Sequence, residues 1–170
     1  MKKLLLSLFV LISFLTLKAQ DQTISFYTSA GAALATSGSL SHNATFGASV
    51  GVEGVYSFSE NIDAFAQLGF YYFVGNPETD VQSNVTTNAI HIPALVGVKA
   101  NLSNFIAGVG FGYGSYSYSD VKSISQSGFT YSPLVGYKLE KYEIILNYTS
   151  TSANYDNLSY IGLKINYKIF

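Results

Sequence analysis

The sequence predicts an all-β fold: an eight-stranded antiparallel up-and-down transmembrane β-barrel after a cleaved N-terminal signal peptide. Three observations carry that prediction. Apolar residues recur at every second position through eight segments, the period of a strand whose two faces meet different surroundings. Short turns alternate with long polar links between these segments, which gathers the turns at one end and the loops at the other. Charged residues make up 11% of the chain and aromatic residues 15%, against about 25% charged in ordinary globular proteins.

The chain opens MKKLLLSLFVLISFLTLKAQ. Lys2 and Lys3, the apolar run from Leu4 to Leu17 and the small Ala19 follow the order of a secretory signal peptide. The run falls short of the about 20 apolar residues of a spanning helix. Residues 1–19 are therefore expected to be removed, leaving 20–170 as one barrel domain of 151 residues. That domain keeps six basic and ten acidic residues, a formal net charge of −4, and has no arginine. Nucleic acid is a poor partner for such a balance, because its sites concentrate positive charge. Without cysteine, disulfides and thiolate chemistry are excluded.

The expected strands follow in order. The first, Thr23 to Ala35, places Ile24, Phe26, Ala30, Ala32 and Leu34 on one face; the second, Ala44 to Ser57, places Phe46, Ala48, Val50, Val52 and Tyr56 there. The third, Ile62 to Val74, runs through Ala64, Ala66, Leu68, Phe70 and Tyr72, and the fourth, Ala89 to Ala100, through Ile90, Ile92, Ala94, Val96 and Val98. In the fifth, within NFIAGVGFGYGSYSYSD (104–120), Phe105, Ala107, Val109, Phe111 and Tyr113 alternate with Gly108, Gly110, Gly112 and Gly114. The sixth, Gly128 to Leu139, offers Phe129, Tyr131, Val135 and Tyr137; the seventh, Tyr142 to Tyr148, offers Ile144 and Leu146; the last, from Ser159, offers Ile161, Leu163, Ile165, Tyr167 and Ile169.

Turns near 58–61, 101–104 and 140–141 alternate with links near 36–43, 75–88, 116–127 and 150–157. An even strand number puts both ends of the barrel on the short-turn side, and in lipid the sheet must close so that every backbone group is paired. The glycines of the fifth strand then point inward, where an eight-stranded barrel is filled by side chains. A phosphate cradle of the G-x-G-x-x-G type would need glycine at Tyr113 or Ser115 and a helix start after it. Alternation alone leaves open which face is outward, so a soluble lipocalin-like ligand-binding barrel stands as an alternative. Bulk favours the membrane, because glycine, serine and charge share one phase and the large apolar residues the other. On that reading Val109→Lys impairs assembly and Gly47→Ser matters less.

Aromatic residues gather toward strand ends, among them Tyr56, Phe58, Phe70, Tyr72, Phe129, Tyr131, Tyr137, Tyr142 and Tyr148, where interfacial girdles sit. Pro93 and Pro133 fall inside strands; lacking an N–H, each is expected at a bulge or a late strand start.

The LKAQ signal end, the glycine-rich alternating strands and the ending YIGLKINYKIF resemble small bacterial outer-membrane β-barrel proteins of the OmpX/OmpA-like "outer membrane protein beta-barrel" kind, in forms common in Bacteroidetes. The resemblance covers the whole barrel domain and implies location in the bacterial outer membrane. It also implies that Ile165, Tyr167, Ile169 and Phe170 form a C-terminal signal for the barrel-assembly machinery. Phe170 departs from the pattern, being one step out of the apolar phase, so a bulge is expected near the end unless Phe170 points elsewhere.

Inward phases carry Glu53, Asp63, Lys99, Lys138, Glu143 and Lys164, three acids and three bases expected to pair as a lumen charge network, since an unpaired buried charge is costly. Tyr71, Phe73, His91 and Leu95 share the inward phase of the outer half, as packed filler or as a pocket for a small hydrophobic compound. Some barrels of this size trim or acylate lipid A, but His42 and His91, the two histidines, stand in no His-x-Ser motif. Two histidines without matching acids or cysteines make a poor metal site, so no enzymatic role, metal or cofactor is expected. The long links hold Glu78, Asp80, Asp120, Lys122 and Asp156 among many hydroxyl and amide side chains. The functional expectation is a monomer with lipids as its surroundings. Its role would be structural or a surface interaction through four extracellular loops, in adhesion or envelope protection; a narrow pore or carrier is the alternative.

Overall fold

The computed structural model describes residues 24–37, 45–75, 88–118, 125–153 and 157–170. The expected signal peptide, His42 and the link residues Glu78, Asp80, Asp120, Lys122 and Asp156 lie outside these. The strands are β1 (Ile24–Ser37), β2 (Phe46–Ser59), β3 (Ile62–Val74), β4 (Ala89–Leu102), β5 (Phe105–Tyr118), β6 (Ser125–Lys138), β7 (Tyr142–Ser152) and β8 (Asn157–Lys168). They form one closed barrel in sequence order. Closure is made by β1 on β8, antiparallel from Tyr27↔Lys168 to Ser37↔Ser159 with a register shift between Ala35 and Ser37. Every wall strand thus has two neighbours, which is what a sheet needs to cross hydrocarbon.

The sidedness is the reverse of a soluble barrel. Val50, Val96 and Leu163 are 58%, 64% and 53% exposed, while Glu53, Lys99 and Asn166 are 2%, 2% and 0% exposed. An apolar coat of this extent is stable only against lipid, and the lipocalin-like alternative, which needs the aliphatic residues inside, is overturned. Two aromatic belts bound the coat. At the short-turn end Tyr56 meets Phe58 at 4.8 Å between ring centroids, Phe105 meets Tyr137 at 5.3 Å and Tyr142 meets Tyr167 at 5.2 Å. Toward the other end Phe111 stacks on Phe129 and Tyr131 lies beside Tyr148, each pair at 6.2 Å.

The inward glycines make room for the lumen. A Cβ on Gly110 would fall 3.1 Å from Phe65 Cζ, and one on Gly114 would fall 2.6 Å from Thr130 Oγ1 and 2.9 Å from Thr151 Oγ1. Gly47 is tightly enclosed: a Cβ there would lie 2.6 Å from Cδ1 of the fully buried Phe73, so a larger side chain crowds the lumen. In the tight turn between β4 and β5 Ser103 has φ 58°, a left-handed conformation that a two-residue hairpin turn demands and glycine adopts at least cost.

Neither proline makes a bulge or delays a strand. Pro93 lies inside β4, and the β3–β4 register is the same before and after it, Leu68↔Ala94 and Tyr71↔His91. It faces Gly69, where a Cβ would come 3.3 Å from Pro93 Cγ; the glycine leaves space for the ring. Pro133 keeps the β6–β7 register as well, from Tyr131↔Ser150 to Leu134↔Asn147. Each interrupts the ladder with one neighbour and stays paired with β5, through Pro93↔Gly114 and Val109↔Pro133.

Phe170 is resolved in favour of a bulge. Ile169 N–H donates to Phe26 O at 2.8 Å and Phe26 N–H donates to Phe170 O at 3.0 Å, so two residues face one, the definition of a β-bulge. The extra residue lets both Ile169 and Phe170 stay outside, 56% and 69% exposed, with the Phe170 ring 4.9 Å from that of Phe26.

Candidate functional site

The lumen holds nearly all the buried chemistry among the described residues, and it falls into two parts. Toward the short-turn end, Lys99 extends from β4 across the interior. Its Nζ donates to Glu53 Oε1 of β2 and lies 3.3 Å from Glu143 Oε2 of β7. Its ammonium also sits 5.2 Å from the Phe65 ring and 5.9 Å from the Tyr27 ring, close enough for attraction to the π faces. Lys164 of β8 donates to Gln67 Oε1 of β3 at 2.7 Å and approaches Glu53 Oε2 at 3.9 Å. Asn166 Nδ2 donates to Glu143 Oε2 at 3.1 Å.

Four of the six residues read from the sequence therefore meet: Glu53, Lys99, Glu143 and Lys164, two of each sign. Asp63 is buried but takes a neutral partner, accepting from Asn101 Nδ2 at 2.7 Å. Lys138 is half-buried at the rim and enters none of the ion pairs among the described residues, although it stands opposite Glu143 in register. The amides Gln67, Asn101 and Asn166 complete the set and were missed. They share the inward phase with the charges, which is the signal that could have found them.

The outer half is packed. His91 of β4, fully buried, has Nδ1 at 3.2 Å from Tyr160 Oη and Nε2 at 3.0 Å from Thr151 Oγ1, and Thr151 is 2.7 Å from Thr130 Oγ1. Rings fill the space around it: Tyr71 and Tyr160 at 4.7 Å, Phe73 and Tyr160 at 5.4 Å. Leu95 is buried as well. Below, Ser132 and Asn147 both meet Thr149 Oγ1 at 2.9 Å. Both His91 nitrogens are thus engaged by neutral hydroxyls, and among the described residues no carboxylate bonds to it to orient it as a base. Among the described residues no group of three His, Cys, Asp or Glu could hold a metal.

Two adjoining grooves of about 660 and 580 Å³ share Gly54, Ala66, Val96 and Phe111. They arise where glycine and alanine replace bulky residues on the outer wall, and so they open toward lipid. The outward positions Ile165, Tyr167, Ile169 and Phe170 line the last strand and its bulge, all exposed.

Comparison with known proteins agrees with this architecture. Residues 7–168 match the family model described as an outer membrane protein beta-barrel domain. A search of the curated proteins found no match. Among solved structures, the chain is similar to Ail, the attachment invasion locus protein of Yersinia pestis, with 9% identity and TM-score 0.57 over 87% of this chain and 98% of that one. It is also similar to Neisserial surface protein A, with 13% identity and TM-score 0.54 over 88% of this chain and 100% of that one. These identities speak to the fold alone.

Proposed function

The chain belongs to the outer membrane protein β-barrel domain family and resides in the bacterial outer membrane, and from this premise we infer that it is a plugged scaffold rather than a pore. The observation that supports the reading is the reach of Lys99 across the lumen to Glu53 and Glu143. A charge cluster balanced in sign, with amide partners, holds its charges in mutual contact across the axis, and an eight-stranded barrel is narrow enough for side chains to fill it. The packed His91 layer above it supports the same reading and weighs against both a carrier for hydrophobic compounds and a catalytic role.

What the scaffold displays is then its function: a structural or surface-interaction role, in adhesion or envelope protection, through the four links at the end opposite the short turns. Surface segments on a rigid scaffold carry binding more often than the scaffold does. Ail, of similar fold, has been crystallised with the heparin analogue sucrose octasulfate. The present links hold more acids than bases and no arginine, so a neutral or cationic surface suits them better than a sulfated one. We further infer a monomer, assembled through the outward face of Ile165, Tyr167, Ile169 and Phe170 by the barrel-assembly machinery.

Planar-bilayer recording of the purified protein tests the plug, and attachment of cells with and without the protein tests the display. The reading expects no steady conductance steps and a loss of attachment or envelope resistance on deletion. Steady steps in the folded wild type would show a conducting lumen and overturn it.

A further inference from the structure

The short-turn rim carries its charge unevenly. Tyr142 pairs with Tyr167 in the β7–β8 register. The next backbone bond outward runs from Lys168 N–H to Lys141 O at 2.8 Å, which sets Lys141 and Lys168 opposite each other. Like charges in that relationship repel. Lys138 ends the neighbouring strand β6 in register with Glu143, yet Glu143 Oε2 is committed inward, 3.3 Å from Lys99 and 3.1 Å from Asn166. None of the three lysines enters an ion pair among the described residues. Lys141 is exposed and the other two half-buried. Glu140, in the same turn and exposed, offsets one of them, leaving an excess of positive charge over β6, β7 and β8. On the far side, the β2–β3 turn presents Glu60 and the described rim has no lysine.

Depth decides the partner. Tyr137, Tyr142 and Tyr167 are the chain neighbours of the three lysines and point outward, where tyrosines of a spanning barrel mark the headgroup level; the lysines share the inward phase of Glu143 and Asn166 at the mouth of the lumen. The short turns of such barrels face the periplasm, so this rim lies at the inner leaflet. A lysine stem is long enough to carry its ammonium out to that plane.

We propose that Lys138, Lys141 and Lys168 form a binding rim for the phosphate groups of anionic phospholipids in the inner leaflet of the outer membrane. The lipid supplies the negative charge that the protein withholds from these residues, and it holds the β6–β8 side of the barrel at a fixed depth.

The test uses protein purified from outer membranes and reconstituted in phosphatidylcholine vesicles doped with phosphatidylglycerol, with spin-labelled lipids of each headgroup read by electron paramagnetic resonance. The wild type is expected to restrict the anionic label in preference to the zwitterionic one by about fivefold at low salt, the effect of roughly one lysine near an anionic surface. In K141Q/K168Q the preference falls toward one; in K138Q it falls less; in Glu60→Gln on the opposite rim it does not fall. Heat-modifiable migration on gels confirms that each variant is folded. No preference in the wild type, or an undiminished one in the double variant, overturns the proposal. Displacement of the label by glycerol 3-phosphate at constant ionic strength would assign the lysines to a free phosphate and overturn the lipid assignment.

Discussion

Lys99 and Glu143 meet at 3.3 Å across the lumen although their strands, β4 and β7, are not neighbours in the sheet. With Glu53 on β2, one ammonium ties three walls of the barrel. Such a contact works against ovalisation of the cylinder, which neighbour-to-neighbour hydrogen bonds alone resist weakly.

Removing that ammonium strands two buried carboxylates. Lys99→Met is expected to lower stability by about 3–5 kcal/mol, measured by urea unfolding in detergent or vesicles. Lys99→Met and Glu143→Gln should couple by more than about 0.5 kcal/mol; strict additivity would show that the two side chains do not act together.

On the outer wall the cost has another origin. Val109 lies midway between Phe105 and Tyr113 on the outward phase of β5. Val109→Lys should impair assembly by about 2–4 kcal/mol, the midplane cost of a lysine facing lipid, read as the folded fraction in heat-modifiable gel migration. Normal folding yield would place Val109 away from the hydrocarbon.

Two glycines on one strand should answer differently to a methyl group. Gly47→Ala drives Cβ to 2.6 Å from the Phe73 ring, whereas Gly54→Ala meets nothing nearer than Phe26 Cε1 at 3.6 Å. The first should cost about 1–3 kcal/mol from overpacking, and the second should be tolerated. Equal unfolding midpoints for the two would contradict the packed lumen.

The β4–β5 turn offers a gain. Ser103 at φ 58° pays the left-handed penalty of about 1–2 kcal/mol, part of which glycine returns to the unfolded chain as entropy. Ser103→Gly should raise the unfolding midpoint modestly; a lower midpoint would mean that the serine side chain stabilises the turn.

Strand identity was legible because one face of every strand meets lipid and the other meets a narrow polar axis, and that contrast is written at period two. Boundaries were less so. β6 begins at Ser125, before the expected Gly128, and β7 runs to Ser152, past Tyr148. There the outward positions Ser125, Ser127 and Ser152 are polar, so hydrogen bonding continues where the hydrophobic signal stops. Which charges pair was not legible either. Lys99 could have met its cross-strand neighbour Asp63, but turns to Glu53 and Glu143, a choice set by how strands face each other across the lumen. Pro93 was misread because its tolerance depends on Gly69 opposite, a partner that only the register reveals.

The chain has no cysteine, so single cysteines along β8 can carry a nitroxide label without background, and oxygen accessibility in bilayers then reads the facing of each position. The account predicts high accessibility at Ile161, Leu163, Ile165 and Tyr167 and low accessibility at Gly162, Lys164 and Asn166. An inverted alternation, or none, would contradict a barrel with its aliphatic side chains in lipid and its charges on the axis.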